Sequence, residues 1–442
     1  MLARAARSRL SDLTRRVPVL AIRDFRLLLA DRVLAPAAFA FSLVGVSFAV
    51  LNATHGSTTA LSDVLAAQIA PSVVFVLLGG VIADRVAPQK VIVAGNAMIA
   101  AGEGLFGLLV LTGHPALWQM IALECVTGTG MALFYPASTA LLPRIVPADS
   151  MQQASAVSRL AMNAAQMGGA VLAGCCVAAI GPGWALTICG TGMLGTLPLM
   201  TALRVTSAER GQDASMVREL REGWSEFRSR SWIWVTTLQF AVVLMAWYGA
   251  FTVLGPAVAR AHLGGAAAWG AITGAESLGL IAGGMASLRF SPQRPIRFVV
   301  LSGAGIAFAP LALAMLWPLP LICVEAFVLG IVMEIMMVQW TVALATNVPA
   351  DKLARVSSYD ALGVTVAMPA GAVIAGPVAA WISLAGTQYA AAALILIASA
   401  LALIPRSVRQ FRNSPVAGRA AGASEAGASA ADASEPVLAS FG

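Results

Sequence analysis

The run GAVLAG at residues 169–174 returns as GAVIAG at 371–376, and VPAD at 146–149 returns as VPAD at 348–351, both at an offset of 202. A third match sets GGVIADRVAPQK at 79–90 against GGMASLRFSPQR at 283–294, an offset of 204. Ala, Gly and Val are abundant here, but three collinear matches in equivalent loops exceed coincidence and mark an internal duplication. Working outward from these repeats, apolar runs recur from near residue 27 to residue 405, each about 20 residues long, the length that crosses a bilayer.

Read against their punctuation, the runs place six spans at 27–52, 60–83, 91–112, 116–141, 151–180 and 183–204. Six more follow at 231–259, 266–288, 296–316, 319–346, 356–384 and 386–405. Each repeat therefore holds six spans, so both copies enter the membrane in the same sense, related by an axis along its normal. The expected fold class is an all-α integral membrane protein of twelve transmembrane helices in two six-helix bundles. Its expected parts are a basic N-terminal arm (1–26), an N-terminal bundle (27–204), a linker with an amphipathic helix (205–230), a C-terminal bundle (231–405) and a disordered tail (406–442).

Composition agrees with that class. The chain has 442 residues, 59% hydrophobic and 11% charged, with a mean hydropathy of +0.82. Its net charge of +7 could suggest nucleic acid, but the basic residues alternate by side. With the N-terminus in the cytoplasm, Arg260 is the one outward residue among 28 Lys and Arg, which is the positive-inside pattern. Both termini are then expected in the cytoplasm of a cell membrane, with no nucleic-acid partner. The arm lacks an apolar centre and a cleavage site, so it reads as a segment lying against anionic headgroups rather than a signal peptide.

Several chemistries are excluded. The five cysteines fall singly or side by side in apolar spans without the spacing of zinc or redox pairs. His55, His114 and His262 are isolated, so no metal and no cofactor is expected. Lys90 and Lys352 are the sole lysines and neither follows a glycine, which rules out a phosphate-binding G-x-x-x-x-G-K loop. No His, Ser or Asp constellation has catalytic spacing, and an enzyme is not expected.

The loop between spans 2 and 3 carries Gly80, Asp84, Arg85 and Lys90. In this loop, and in FYPASTALLPRIVPAD at 134–149, the chain resembles the major facilitator superfamily, in particular its bacterial efflux branch of macrolide pumps and siderophore exporters. Ala87 and Tyr135 stand where that pattern has glycine and, often, aspartate. The resemblance covers roughly residues 20–405. It implies secondary transport by alternating access, and Asp84 as a latch of the inner gate. A carboxylate there can cap a helix N-terminus of the other bundle. By resemblance its partner is the start of span 11, where Ser357, Ser358 and Asp360 stand in a capping pattern.

Ionisable residues inside the membrane are functional candidates by default. Glu276 and Glu334 lie roughly 15–22 Å below the outer edge, and Glu103 about 18 Å from the inner side, at 1.5 Å per residue. Desolvation favours the protonated form of a carboxylate at such depth unless a cation lies close, so these three are the proton-coupling candidates. Glu334 ranks first because Met333, Met336, Met337 and Trp340 surround it along the helix as adaptable surface. Glu124 and Glu325 rank lower, nearer the outer edge. Trp247 and Phe251, four residues apart on one face, join Met337 and Trp340 as candidates to line a cargo cavity; packing between helices explains them equally.

The expectation is a monomeric, proton-coupled antiporter that exports a small lipophilic or amphipathic compound, with drug resistance as its outcome. Direction and cargo come from the resemblance. Export of a siderophore or other endogenous metabolite is the second reading, and a non-transporting membrane sensor the third.

Overall fold

The computed structural model describes residues 18–85, 87–113, 115–147, 150–203, 224–225 and 227–412, with side chains for all of these except 72–85, 135–136, 139–140, 152, 350–351, 354–355, 358 and 362. Most of the expected arm, linker and tail lies outside the described residues. Within them, α1 spans Arg23–Ala53, α2 Thr58–Arg85, α3 Pro88–Thr112, α4 Leu117–Ile145, α5 Met151–Ile180 and α6 Pro182–Thr201. α7 is Ser231–Leu263, α8 Ala266–Ser287, α9 Pro295–Ala314, α10 Leu319–Asn347, α11 Ala350–Ile382 and α12 Leu384–Ala402.

Over their described residues, ten of these have the length and hydropathy of a membrane span. The other two are α2, half of whose side chains are undescribed, and α8. In α8 the apolar signal is diluted by glycines that permit close approach. A Cβ on Gly270 would lie 2.8 Å from the Ala170 carbonyl and from Gly174 Cα on α5. A Cβ on Gly279 would strike the Phe327 carbonyl of α10. Small residues at crossings are what hold helices together where lipid removes the hydrophobic drive.

Two helices depart from regular winding, each at a proline. α7 widens over Tyr248–Val253 to bonds such as Leu254 N–H to the Gly249 carbonyl, just before Pro256. α9 breaks between Gly305 and Phe308, where Pro310 has no N–H to give the Ile306 carbonyl.

The duplication is legible in the packing. α1 packs on α5 and α6, α2 on α4, and α3 on α4 and α6; α7 packs on α11 and α12, α8 on α10, and α9 on α10 and α12. Adding six to each label of the first set gives the second. Between the halves α5 meets α8 and α2 meets α11, a pairing that maps onto itself under the same exchange. Two six-helix bundles related by a pseudo-two-fold axis along the helices result.

One end of the molecule carries Lys90, Arg144, Arg230, Arg289, Arg294, Lys352 and Arg406 beside its loops; this is the basic end. At the opposite end, Arg260 is the one Lys or Arg among the described residues. Two of the opposite end's connections are single residues in matched positions. Gly181 joins α5 to α6 at φ 93°, ψ 165°, and Ser383, again 202 residues on, joins α11 to α12 at φ 89°, ψ 161°. That region is almost exclusive to glycine. Ser383 offsets part of its strain by accepting a hydrogen bond from Gly386 N–H at 3.1 Å. The strain, about 1–3 kcal/mol, exceeds what glycine loses as a cap and gains in unfolded-state freedom. Ser383→Gly should therefore raise stability by about 1 kcal/mol, read as a higher thermal midpoint of the detergent-solubilised protein.

Candidate functional site between the two bundles

The contact between the halves is uneven along its length. Toward the opposite end it is dry and close. Gly174 on α5 faces Gly270 on α8 backbone to backbone, and Gly376 on α11 faces Ser62 and the Thr58 carbonyl on α2. An apolar cluster there joins Val46 and Val50 of α1 and Leu61 and Val64 of α2 to Leu254 of α7 and Ala375 of α11. At the basic end the cluster of Phe25, Leu28, Ile92, Leu141 and Met200 stays within the N-terminal bundle. The bundles are thus sealed against each other at one end.

Away from that seal, a charged pair crosses from one bundle to the other. Arg159 on α5 places Nη1 3.5 Å from Glu334 Oε1 on α10, with side-chain exposures of 76% and 18%. Arg159 lies about 12 Å into its helix. Its side chain is open to solvent rather than packed among helices. The Glu334 stem stands on α8, where a Cβ added to Gly283 would come within 3.0 Å of it. Because Arg159 is so open to solvent, screening keeps the net stabilisation of the pair within about 1 kcal/mol. Its position across the interface matters more than its strength.

The other acids have different company. Glu103 on α3 and Glu124 on α4 are completely buried inside the N-terminal bundle. Ser42 Oγ on α1 donates to Glu103 Oε1 at 2.6 Å, and Gln68 Nε2 on α2 donates to Glu124 Oε2 at 2.6 Å. The remaining oxygens, Glu103 Oε2 and Glu124 Oε1, have no hydrogen-bond partner, and the same holds for the buried Thr127 Oγ1. The two carboxyls lie near enough for their charges to repel. Glu276 on α8 and Glu325 on α10 form a comparable pair in the other bundle, again close enough for repulsion.

The Gln68–Glu124 contact of α2 with α4 and the Glu276–Glu325 pair of α8 with α10 occupy matched places. Gln68 and Glu276 are each the eleventh residue of their helix. A Cβ on Gly128 of α4 would collide with the Gln68 carbonyl, and one on Gly330 of α10 with the Glu276 carbonyl. Sequence depth alone ranked Glu124 low. The available signal was Gln68 at the same depth on α2, a donor able to hold it.

The remaining candidates are dispersed. Phe251 is buried, stacking on Trp247 at 5.9 Å and tilting against Trp269 at 5.2 Å. Trp340 is buried, packed edge-on against Trp232 and Phe240, and donates Nε1–H to Asp360 Oδ2 at 2.9 Å. Trp247 is half-buried, while Met337 is exposed. Asp360 also accepts from Thr237 Oγ1 at 2.6 Å. α11 begins at Ala350 with Pro349 as its N-cap, so Ser357 and Asp360 lie two turns inside the helix and do not cap it. In the gate loop Lys90 is exposed on the first turn of α3; the side chains of Asp84, Arg85 and Ser358, and the surroundings of Gly80, lie outside the described residues.

Loss of a neutral donor to a buried carboxyl should be costly. Ser42→Ala is expected to destabilise the protein by about 1–3 kcal/mol, read by thermal unfolding in detergent. In a Glu103→Leu background, which removes the acceptor as well, the same change should cost less.

The profile of the Major Facilitator Superfamily matches residues 33–364. The enterobactin exporter EntS of Salmonella choleraesuis (strain SC-B67) is 27% identical over 346 residues, 77% of this chain and 82% of that protein. Its counterpart from Escherichia coli O1:K1 / APEC is 25% identical over 345 residues, with the same coverage. Among solved structures, an auto-inhibited POT family peptide transporter superposes with a TM-score of 0.68 at 10% identity, over 89% of this chain and 98% of the other. A bacterial homolog of the human lysosomal transporter Spinster, inward-facing and unoccupied, gives 0.64 at 16% identity, over 88% and 99%. With its twelve helices, paired bundles and duplicated contacts, the chain belongs to the Major Facilitator Superfamily and is a multi-pass membrane transporter rather than an enzyme.

Proposed function

We propose that this protein exports a small lipophilic or amphipathic compound in exchange for protons, its two units, 27–204 and 231–405, rocking about the α5–α8 and α2–α11 contacts. The basic end lies in the cytoplasm by the positive-inside rule, which puts both termini there and makes the described pose open to the cytoplasm. The protein works as a monomer, since each chain carries both halves of the cavity.

The observation that carries the reading is the cross-bundle pair of Arg159 and Glu334. Its partners belong to different moving bodies, so rocking changes their separation. In the described pose Arg159 stands beside the Glu334 carboxyl, and rocking would part them, so the charge that faces Glu334 changes with conformation. Coupled transport requires a residue whose surroundings change in this way. Among the described residues Glu103 and Glu276 have no basic partner in contact, and they serve as further proton carriers. Trp247 and Met337 line the cargo route, with Phe251 and Trp340 behind them. Asp84 and Arg85, with Gly80 and Lys90, latch the cytoplasmic gate against α11 near Ser357, Ser358 and Asp360.

A second reading, export of a siderophore, is favoured by the relatives named as enterobactin exporters. Proteoliposomes with an imposed pH gradient, tested with ethidium and with enterobactin, separate the two cargoes. Uptake of either that collapses with the gradient supports antiport; binding of both without gradient-dependent flux would leave a sensor instead. Glu334→Gln should reduce gradient-driven flux to the level of protein-free vesicles while retaining a monodisperse, folded protein. Undiminished coupled flux in that variant would remove Glu334 from the mechanism.

A further inference from the structure

The duplication supplies an internal comparison at the basic end, where α3 begins beside the end of α6 and α9 begins beside the end of α12. In the N-terminal bundle this corner is filled. Gln89 Nε2 donates to the carbonyls of Met200 at 2.6 Å and Leu203 at 2.9 Å, satisfying the last turn of α6. In the C-terminal bundle the matched corner is hollow. A cavity of about 450 Å³ is lined by Arg294, Arg297, Arg406 and Arg409, together with Leu301, Leu403 and Gln410. Among the described residues no carboxylate lines it.

Two of the arginines sit on a short segment held firmly in place. Arg406–Arg409 form a helical turn after α12. Val408 is fully buried, Ser407 Oγ accepts a hydrogen bond from Ser231 Oγ at 2.9 Å, and Phe411 tilts against Trp232 with ring centroids 4.6 Å apart. The expected disordered tail therefore does not begin at 406; apolar anchors at 408 and 411 extend the fold past the last span. The other two arginines flank the start of α9, where Pro295 is the first helical residue and Arg294 the N-cap, with no side chain capping the first turn. Four exposed guanidinium groups gathered around one hollow repel each other unless an anion lies between them, and the free N–H groups of a helix start favour the same occupant.

The location selects the class of anion. α9 and α12 pack on helices of their own bundle and face the periphery. Leu301 and Phe308 on α9, and Leu401 and Ile404 beside the end of α12, are about half to two-thirds exposed, an apolar wall rising from the cavity toward the bilayer centre. We propose that this corner is a binding site for an anionic phospholipid, its phosphate held by Arg294, Arg297, Arg406 and Arg409 and its acyl chains lying along Leu301 and Phe308. Basic pockets at a helix boundary on the cytoplasmic side suit such headgroups. The site is separate from the cavity between the bundles and independent of what is transported.

Native mass spectrometry of the purified full-length protein, titrated with dioleoyl phosphatidylglycerol or dioleoyl phosphatidylcholine, tests this. The anionic lipid should be retained preferentially, and the Arg297→Gln/Arg406→Gln double variant should lose about 30-fold of that preference, from about fivefold per basic residue. Arg289→Gln, outside the cavity, should behave as the parent protein, and Arg297→Lys/Arg406→Lys should keep most of the preference. Should the first pair fail to elute as a folded species, Arg294→Gln/Arg409→Gln provides the same readout. Equal retention of the two lipids, an unchanged preference in the Gln variants, or displacement of the lipid by an equal concentration of inorganic phosphate would overturn the proposal, the last by making this a free-anion site.

Discussion

In a bilayer, two apolar helices gain little by exchanging lipid for each other, so the association of this chain's two halves depends on how closely their backbones approach. The α5–α8 crossing meets that requirement with glycine on both sides, Gly174 against Gly270. A Cβ on either would lie 2.8 Å from the opposing backbone, closer than such contacts allow, so the helices would have to part at the end opposite the basic one. The rest of the interface follows from this contact. α8 must remain rich in small residues, which is why it falls short of a span by hydropathy although it crosses with the others. Glu334 reaches Arg159 only because Gly283 leaves room beside α8.

Where charge is expensive, the identity of each partner distinguishes the roles of the acids. Asp360 is held by Thr237 and Trp340, Asp31 by Asn96 at 3.4 Å, Glu103 by Ser42 and Glu124 by Gln68. All of these donors are neutral and belong to the same bundle as the acid. Such bonds move rigidly with their bundle and do not sense its tilt. Glu334 differs in both respects, having a cationic partner on the other bundle. Among these acids Glu334 is the one whose charged partner sits on a separate body, so its surroundings depend on how the two bundles stand.

The fold was legible because its signals are long and repetitive. Twelve apolar runs, a duplicated VPAD and GAV-x-AG, and one-sided basic residues do not depend on three-dimensional contact. The partners of the acids do, and depth along a helix could not provide them. Glu124 was ranked by its distance from a span end, whereas its burial follows from facing α2 and α3. Trp340 was associated with Glu334 by nearness in sequence, yet six residues turn it about 240° around α10, toward Asp360. The early start of α11 was masked by polar Asp351, Lys352 and Arg355, although the second VPAD places Pro349 where a helix can begin.

The two copies share backbone more faithfully than chemistry, and their divergences fall where a transporter would need asymmetry. Gly181 and Ser383 hold the same strained turn, so that geometry has been kept even without glycine. At the matched crossings, however, neutral Gln68 stands opposite acidic Glu276, and Asp84 in one loop corresponds to Leu288 in the other, exposed at the basic end. The corner closed by Gln89 in one bundle is an arginine-lined cavity in its twin. Under exact symmetry every feature would occur once in each bundle, and these differences give the halves unlike electrostatics on a common frame.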